Sequence, residues 1–236
     1  MFRTLADSKV NMEIITTSEI KISALVKRES SLKALRTVHS EFALDSLEST
    51  EQPLVPTQKP NSTEVVDIIA RLNEGLGMEA LMINDISIDD TQSRITLTKI
   101  PNEPGIAAQL FDRIAEAGVF VDMIVQSYAS DKIADITFTM PRDQFDQAVI
   151  VANQVCEDFG CEKVDFKKSI AKLSVSGVGL RSHTGVAIGM FKALADAGIN
   201  IETINTSEVR VNVVVDGESG ARGIECLTEQ FADAMR

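Results

Sequence analysis

Arg94 to Gln126 reads RITLTKIPNEPGIAAQLFDRIAEAGVFVDMIVQ, and this stretch decides the fold. Its first seven residues alternate polar and apolar side chains, which predicts a half-buried β-strand. The Pro104-Gly105 pair ends that strand. From Ile106 to Ala117 the apolar residues recur at helical spacing, and Gly118 suits a helix C-cap. The stretch therefore predicts a strand, a tight turn and a helix.

The following residues extend this pattern into a complete unit. Strands are predicted at Val119–Gln126, Ala134–Met140 and Cys161–Phe166, and a second helix from Pro141 to about Phe159. The order is βαββαβ, which is typical of the ferredoxin-like split unit. We therefore predict an α+β fold, in which antiparallel four-stranded sheets carry two helices on one face.

The chain also repeats this unit. A shift of 189 positions places Met1 on Met190, and MFRTLADSKVNMEIITTSEIKISALVKRES then lies without a gap on MFKALADAGINIETINTSEVRVNVVVDGES. A shift of 80 positions places PGIAAQLFDRIAEAGVFVDMIVQ on TGVAIGMFKALADAGINIETINT. Internal repeats of this kind indicate several copies of one structural unit.

The three copies are unequally complete. We name them the N-terminal half-module (residues 1–44), the middle module (91–167) and the last module (78–90 with 168–236). The half-module has no first strand and only part of its first helix, and we expect nothing in the chain to complete it. The last module ends without a fourth strand, so we predict that the segment around 79–88 supplies it and that the middle module is inserted.

Two further segments separate the half-module from the middle module. Residues 45–60 (DSLESTEQPLVPTQKP) contain three prolines among polar residues and are predicted to be a linker. Residues 61–77 are predicted to form a helix, because Asn61 and Ser62 can cap it and its apolar residues share one face.

Composition excludes several classes of function. The net charge is −12, so we expect no nucleic-acid partner. No run of residues is apolar and long enough to span a membrane, and no signal peptide is predicted. Three cysteines without a CxxC pair and two histidines suggest neither a zinc site nor a disulfide framework. We expect reduced thiols, a cytoplasmic protein, no cofactor and no metal.

Catalytic motifs are missing from the sequence. It contains no GxxxxGK[ST] phosphate loop, no GxSxG elbow and no HExxH helix. Gly177-Val178-Gly179 resembles part of a dinucleotide fingerprint, but Ser182 stands where a third glycine belongs, and we interpret it as a strand-to-helix turn. We expect no catalytic residue.

A candidate binding site appears where strand one meets helix one, once in each of two modules. Helix N-termini present unpaired N–H groups that favour a carboxylate. Strand two supplies an acid and an amide that could hold an ammonium group, so the pattern suits a free amino acid. A plain tight turn with solvated charges is an equally open interpretation. The candidate residues are Asn102, Glu103, Pro104, Gly105, Ile106, Ala107, Asp122 and Gln126, and then Ser182, His183, Thr184, Gly185, Val186, Asn205, Thr206, Ser207 and Glu208.

At these residues the chain resembles the C-terminal regulatory region of aspartate kinases, which consists of ACT domains. RITLTKIPNEPGIAAQLFDRIAEAGVFVDMIVQ is similar to the first ACT domain of that family, and VSGVGLRSHTGVAIGMFKALADAGINIETINTSEVRVNVVV is similar to the second. The resemblance implies an amino-acid effector, lysine or threonine, bound between ACT domains and often at a dimer interface. It also implies a homodimer and a kinase catalytic domain or subunit as partner.

The chain departs from the family pattern at several positions. The Lys-Phe-Gly-Gly-Thr signature of the kinase domain does not occur in it, so we expect no kinase activity from this chain alone. Asn102 stands where the family often has Asp, and Thr184 stands where it usually has Pro. Two hypotheses follow from the resemblance: an amino-acid-sensing module that controls a kinase domain, or a free-standing regulatory subunit that acts through oligomerisation.

Overall fold

The computed structural model describes residues 1–18, 21–44, 82–130, 132–178, 180, 184–207 and 209–235. Within these ranges one eight-stranded sheet has the strand order β2-β1-β4-β5-β3-β6-β8-β7, and every neighbouring pair of strands is antiparallel. The predicted linker at 45–60 and the predicted helix at 61–77 lie outside the described residues.

The middle module is a complete βαββαβ unit. Its strands are β4 (Ile124–Ser130), β5 (Ile133–Pro141) and halves of β3 (Met82–Pro101) and β6 (Lys163–Val178). Its helices are α3 (Ile106–Glu116) and α4 (Phe145–Phe159), which follows a short 3-10 turn. The strand order β4-β5-β3-β6 confirms the predicted antiparallel four-stranded arrangement.

Two long strands run through both the middle and the last module. The sequence predicted separate strands on either side of residue 90 and of residue 167, whereas β3 and β6 are continuous and pair with each other along their length. Register shifts between Asp89 and Gln92 and between Gln92 and Arg94 mark the crossing point. Bulges of this kind increase local twist, and the two strands contribute to both modules of the one sheet. The division into modules at these points stays a prediction.

The last module repeats the arrangement with the other halves of these strands. It comprises α5 (Thr184–Asp196), β7 (Thr203–Thr206), β8 (Arg210–Asp216) and α6 (Gly220–Gln230). Residues 82–89 pair with residues 172–178, and β6 pairs in turn with β8. A hydrophobic core lies between this half of the sheet and its two helices.

The half-module packs beside the middle module, and our expectation that nothing in the chain completes it as a module stays a prediction. It comprises α1 (Phe2–Asp7), β1 (Ile14–Thr17), β2 (Ile22–Leu25) and α2 (Ser31–Glu41). Strand β1 pairs with β4, so the sheet continues into residues 1–44. Its buried apolar side chains belong to the same core cluster as those of the middle module: Leu5, Val10, Met12, Ile15 and Ala34.

The cysteines differ from the prediction. Cys156 and Cys161 form a disulfide with Cα atoms 4.8 Å apart, whereas Cys226 is free. Gly160, with φ of 73°, ends α4 in the left-handed conformation and turns the chain back, which brings the two cysteines together. Of the helices in the described ranges, none is long and apolar enough to cross a membrane.

Candidate functional site

The turn from Asn102 to Ala107 is held at both of its ends. The Asn102 N–H donates to the carbonyl oxygen of Lys132 over 2.8 Å, and the Ile106 N–H donates to that of Glu103 over 3.3 Å. Gly105 takes φ of 104° at the N-cap of α3, a conformation that favours glycine. The cap makes no side-chain hydrogen bond, so the first turn of the helix keeps donors available for an anion.

Gln126 lies on β4 beside this turn, and its side chain is 3% exposed. Its Nε2 donates to the carbonyl oxygen of Met12 over 2.8 Å. Its Oε1 is buried, and no group among the described residues donates to it. Since a buried acceptor without a donor costs about 1–3 kcal/mol, this oxygen marks a place where a ligand donor would be favourable.

Asn11 of the half-module closes the same place from the other side. Its Nδ2 donates to the backbone oxygen of Asn102 over 3.2 Å and to its Oδ1 over 3.1 Å. A small cavity of about 10 Å³ remains between the two modules. Its lining combines four polar residues with an apolar wall: Asn11, Asn102, Glu103 and Gln126, then Met12, Ile100, Pro101, Ile106, Ala107, Ala134 and Ile136. We name this cavity the turn cavity.

The structure thus brings together most of the candidate residues of the middle module, and it adds two that sequence reasoning missed. Asn11 and Met12 come from the first copy, which we had treated as incomplete and had not considered as part of a site. The pairing of β1 with β4 that delivers them depends on tertiary contacts. The identity of Asn11 with Asn200 in the repeat was the one available signal.

Asp122 lies elsewhere. Its carboxylate forms an ion pair with Lys172 of the last module and lines a separate cavity of about 40 Å³. That cavity also contains Thr17, Ser18, Met123, Asn205 and Asn212. The structure therefore places Asp122 at the junction between modules and not at the turn cavity.

The candidate residues of the last module are only partly described. Ser182, His183 and Glu208 lie outside the described residues, while Thr184 begins α5 and is followed by exposed Gly185 and buried Val186. Thr206 is exposed, and the Ser207 N–H donates to the oxygen of Arg210 within the β7–β8 turn.

Asn205 faces away from the helices of the last module. It pairs in register with Asn212 on β8, and its Nδ2 donates to the carbonyl oxygen of Thr17 over 2.5 Å. Since successive side chains on a strand point to opposite faces, the residue on the helix side of β7 is its neighbour Thr206. Asn205 therefore lies on the face of β7 opposite to the one that carries Thr206.

Charged groups are concentrated where the middle and last modules meet. Burial opposes ionisation of Asp89, but hydrogen bonds from the Thr91 hydroxyl and N–H and from Gln92 outweigh it, so the pKa of Asp89 is lowered. The hydrogen bond from Lys167 lowers the pKa of Asp216, aided by the Glu218 N–H. In the described part of the chain, no cluster of His, Cys, Asp or Glu could hold a metal ion.

A profile of the ACT domain family matches residues 1–42, 98–155 and 173–231, which correspond to the three copies described above. The chain therefore belongs to the ACT domain family. Within that family it is a regulatory ACT region of the aspartate-kinase type, as three relatives show.

A crystal structure of aspartate kinase from Synechocystis is similar to this chain, with 30% sequence identity and a TM-score of 0.77. The match covers 99% of this chain and 36% of the Synechocystis chain. The crystal structure of the regulatory subunit of aspartate kinase from Thermus flavus is also similar, with 34% sequence identity and a TM-score of 0.60. That match covers 64% of this chain and 99% of the Thermus flavus subunit. Aspartate kinase Ask_LysC of Stutzerimonas stutzeri is 40% identical over 68% of this chain. The chain spans 39% of the length of that relative.

Proposed function

We propose that the chain senses a free amino acid, lysine or threonine, at the turn cavity and thereby controls an aspartate kinase catalytic domain or subunit. The observation that carries the proposal is the convergence of the Asn102–Ala107 turn with Gln126 and Asn11 at one junction between two modules. The proposal includes lysine or threonine as the effector, a homodimeric assembly and a cytoplasmic location.

The carboxylate of the effector is assigned to the N-terminus of α3. The helix has 11 residues, its N-cap is a glycine without a side-chain cap, and its first residues line the cavity. The backbone N–H groups of Ala107 and Ala108 lie within the first turn, where the helix itself supplies no acceptor. The partial positive charge at that end adds to the attraction for an anion.

The ammonium group of the effector is assigned to Gln126. Its buried Oε1 can accept a hydrogen bond, and the Oδ1 of Asn102 lies on the same cavity. Asp122, the acid that the sequence suggested for this role, is engaged with Lys172. Glu103 is exposed at the rim of the cavity, where it could meet the side-chain cation of lysine.

The small volume of the cavity supplies a mechanism for control. About 10 Å³ holds roughly one water molecule. An amino acid therefore enters only if Asn11 and Met12 move relative to the turn. This movement changes the position of the half-module relative to β4. A ligand that binds one arrangement better shifts the population toward it. Differential affinity of about 1–3 kcal/mol is sufficient for feedback control.

Calorimetric titration of the full chain with L-lysine, L-threonine and L-methionine tests the proposal. We expect lysine or threonine to bind, and the Gln126→Leu variant to bind about tenfold or more weakly because an acceptor is lost. Gln92→Leu is the matched control, since Gln92 is also buried with an unpartnered Oε1 but lies outside the turn cavity. Absence of binding to all three amino acids, or equal losses in both variants, would refute the assigned site.

A second candidate function is a free-standing regulatory subunit that acts by assembly. It is favoured by the match over 99% of the regulatory subunit from Thermus flavus. Mixing the chain with an aspartate kinase catalytic subunit and measuring mass by light scattering tests it. A complex that forms equally well with and without amino acids would favour assembly over sensing.

A further inference from the structure

A β-bulge in β3 decides which side chains of that strand face the turn cavity. Pairing with β5 is regular up to Leu97, which lies opposite Ile136, and it resumes at Ile100, opposite Ala134. One extra residue of β3 therefore lies between these two pairs. Leu97 and Ile100 are both fully buried, whereas strict alternation would bury residue 99 instead of residue 100. The bulge thus leaves the Lys99 side chain exposed and places Ile100 in the wall of the cavity.

The backbone of Lys99 adopts a conformation that favours glycine. Its φ is 51°, in the left-handed region where the Cβ of an L-residue crowds the following carbonyl oxygen. The shift of 80 positions that aligns the middle module with the last one places Lys99 on Gly179 and Ile100 on Leu180. Leu180 is buried, as Ile100 is. The last module therefore has the residue that suits this conformation, and the middle module needs a contact that holds a lysine in it.

Asp135 supplies that contact. The extra residue of a bulge has no partner in the ladder of backbone hydrogen bonds. The Lys99 N–H instead donates to Oδ1 of Asp135 over 2.8 Å. Asp135 lies on β5 between Ala134 and Ile136, which both line the turn cavity. Because successive side chains on a strand alternate, the carboxylate of Asp135 points to the opposite face of the sheet.

The neighbouring strand β6 also contacts the bulge, but more weakly. The ammonium group of Lys99 forms an ion pair with Glu162, and the two side chains are 58% and 55% exposed. Ion pairs this exposed contribute little because water screens them. The Glu162 N–H donates to the carbonyl oxygen of Thr98 over 2.9 Å, which fixes the residue before Lys99 and not Lys99 itself. The hydrogen bond from Asp135 is therefore the main restraint on the backbone of Lys99.

Only two residues separate this bulge from the turn that forms the proposed effector site. Ile100 lines the turn cavity, and Pro101 pairs in register with Ile133. The next residue, Asn102, begins the turn, and its N–H donates to the carbonyl oxygen of Lys132. A rotation of the backbone at Lys99 would therefore displace both a wall of the cavity and the start of the turn.

We propose that Asp135 is a positioning residue for the effector, which it does not touch. By accepting the Lys99 N–H, it holds the bulge in the left-handed conformation and thereby fixes Ile100 and Asn102 at the turn cavity. The effect on affinity rests on the function proposed above, whereas the effect on the turn is independent of any ligand.

Hydrogen exchange in the full chain without ligand, followed by NMR, tests the effect on the turn. Asp135→Ala is expected to speed exchange of the Lys99 and Asn102 amides about tenfold, because an acceptor is lost. Asp135→Asn keeps an Oδ1 that can accept, so both amides should stay protected. Adding Lys99→Gly to Asp135→Ala should restore protection of the Asn102 amide, since glycine adopts a positive φ without strain. Unchanged exchange in Asp135→Ala would overturn the proposal.

Asp89→Ala is the matched control for both measurements. Asp89 also accepts a backbone N–H of β3, that of Thr91 over 3.0 Å, but it does so away from the turn cavity. Its loss is expected to leave exchange of the Asn102 amide and the affinity for amino acids unchanged. Any general destabilisation caused by removing a carboxylate from β3 or β5 would appear in this control as well.

Calorimetric titration with L-lysine and L-threonine tests the effect on affinity. Asp135→Ala is expected to bind about tenfold more weakly, while Asp135→Asn and the double variant with Lys99→Gly bind like the unsubstituted chain. If the unsubstituted chain binds and Asp135→Ala binds equally well, or if Lys99→Gly fails to restore affinity, the positioning role is overturned and the proposed function stands. If the unsubstituted chain binds neither amino acid, the proposed function fails together with the effect on affinity, and hydrogen exchange still decides whether Asp135 positions the turn.

Discussion

Asp122 of the middle module and Lys172 of the last module form an ion pair across the junction between the two modules. A second pair crosses in the opposite direction, because Arg94 on β3 approaches Glu202 at 3.7 Å. Asp122 and Glu202 occupy the same position in the repeat, so each module sends one acid to a cation on the first strand of the other. Asp122, the acid that the sequence suggested as a ligand group, is therefore part of the contact between the modules.

Asp122→Asn is expected to reduce stability without affecting the effector. The two side chains are 29% and 19% exposed, so loss of the pair should lower the free energy of unfolding by about 1–3 kcal/mol, between the exposed and buried extremes. Urea unfolding measures this, with exposed Asp143→Asn as control. Calorimetry should show unchanged amino-acid affinity, and a large loss of affinity would instead return Asp122 to the binding site.

The sequence predicted the unit and its repetition well because these depend on local patterns. Alternation along Arg94–Ile100 and helical spacing from Ile106 to Ala117 both correspond to observed elements. The turn between them was also recognisable, since Gly105 with positive φ needs no tertiary contact to be favoured.

Relations between modules could not be predicted in the same way. Asn205 was selected as a partner of the second turn, but a shift of one residue along a strand reverses the face, and only the pairing with Asn212 fixes it. The contribution of Asn11 depends on β1 adding to β4, a long-range contact without a local signal. The ion pair between Lys172 and Asp122 is likewise visible only in the structure.

Ile15→Ala tests whether the half-module can detach from the middle module separately from the rest of the chain. Ile15 is fully buried and pairs in register with Gln126, so removing its side chain should cost about 2–5 kcal/mol. Hydrogen exchange should then speed up in residues 1–17 before it does so in the last module. Ile14→Ala, at a neighbour that is 36% exposed, is the control with a small effect. Uniform acceleration across the chain would argue against a separately detachable half-module.

Stability is expected to fall on acidification. Burial opposes ionisation of Asp89, but hydrogen bonds outweigh it and lower its pKa, and Lys167 lowers the pKa of Asp216. A lowered folded-state pKa stabilises the fold fully above the unfolded value, about 3.9. That contribution is lost as pH falls through the lower folded value. Urea unfolding from neutral pH to about pH 3 should show this decline. Asp89→Asn should be less stable at neutral pH and depend less on pH, and an unchanged slope would contradict the assignment.

Reduction of the disulfide is expected to weaken the end of α4. Cys156 and Cys161 close a short loop, and loop-closure entropy predicts a contribution of about 2 kcal/mol. The affected end contacts α3, because Arg113 pairs with Asp158 at 2.5 Å and lies over the Phe159 ring at 5.6 Å. Cys156→Ser should therefore lower the melting temperature in oxidising buffer and abolish its response to reductant. Cys226→Ser should change neither, since that thiol is free. Mass spectrometry of the unreduced protein checks the pairing, and two free thiols at Cys156 and Cys161 under oxidising conditions would show that the bridge does not form.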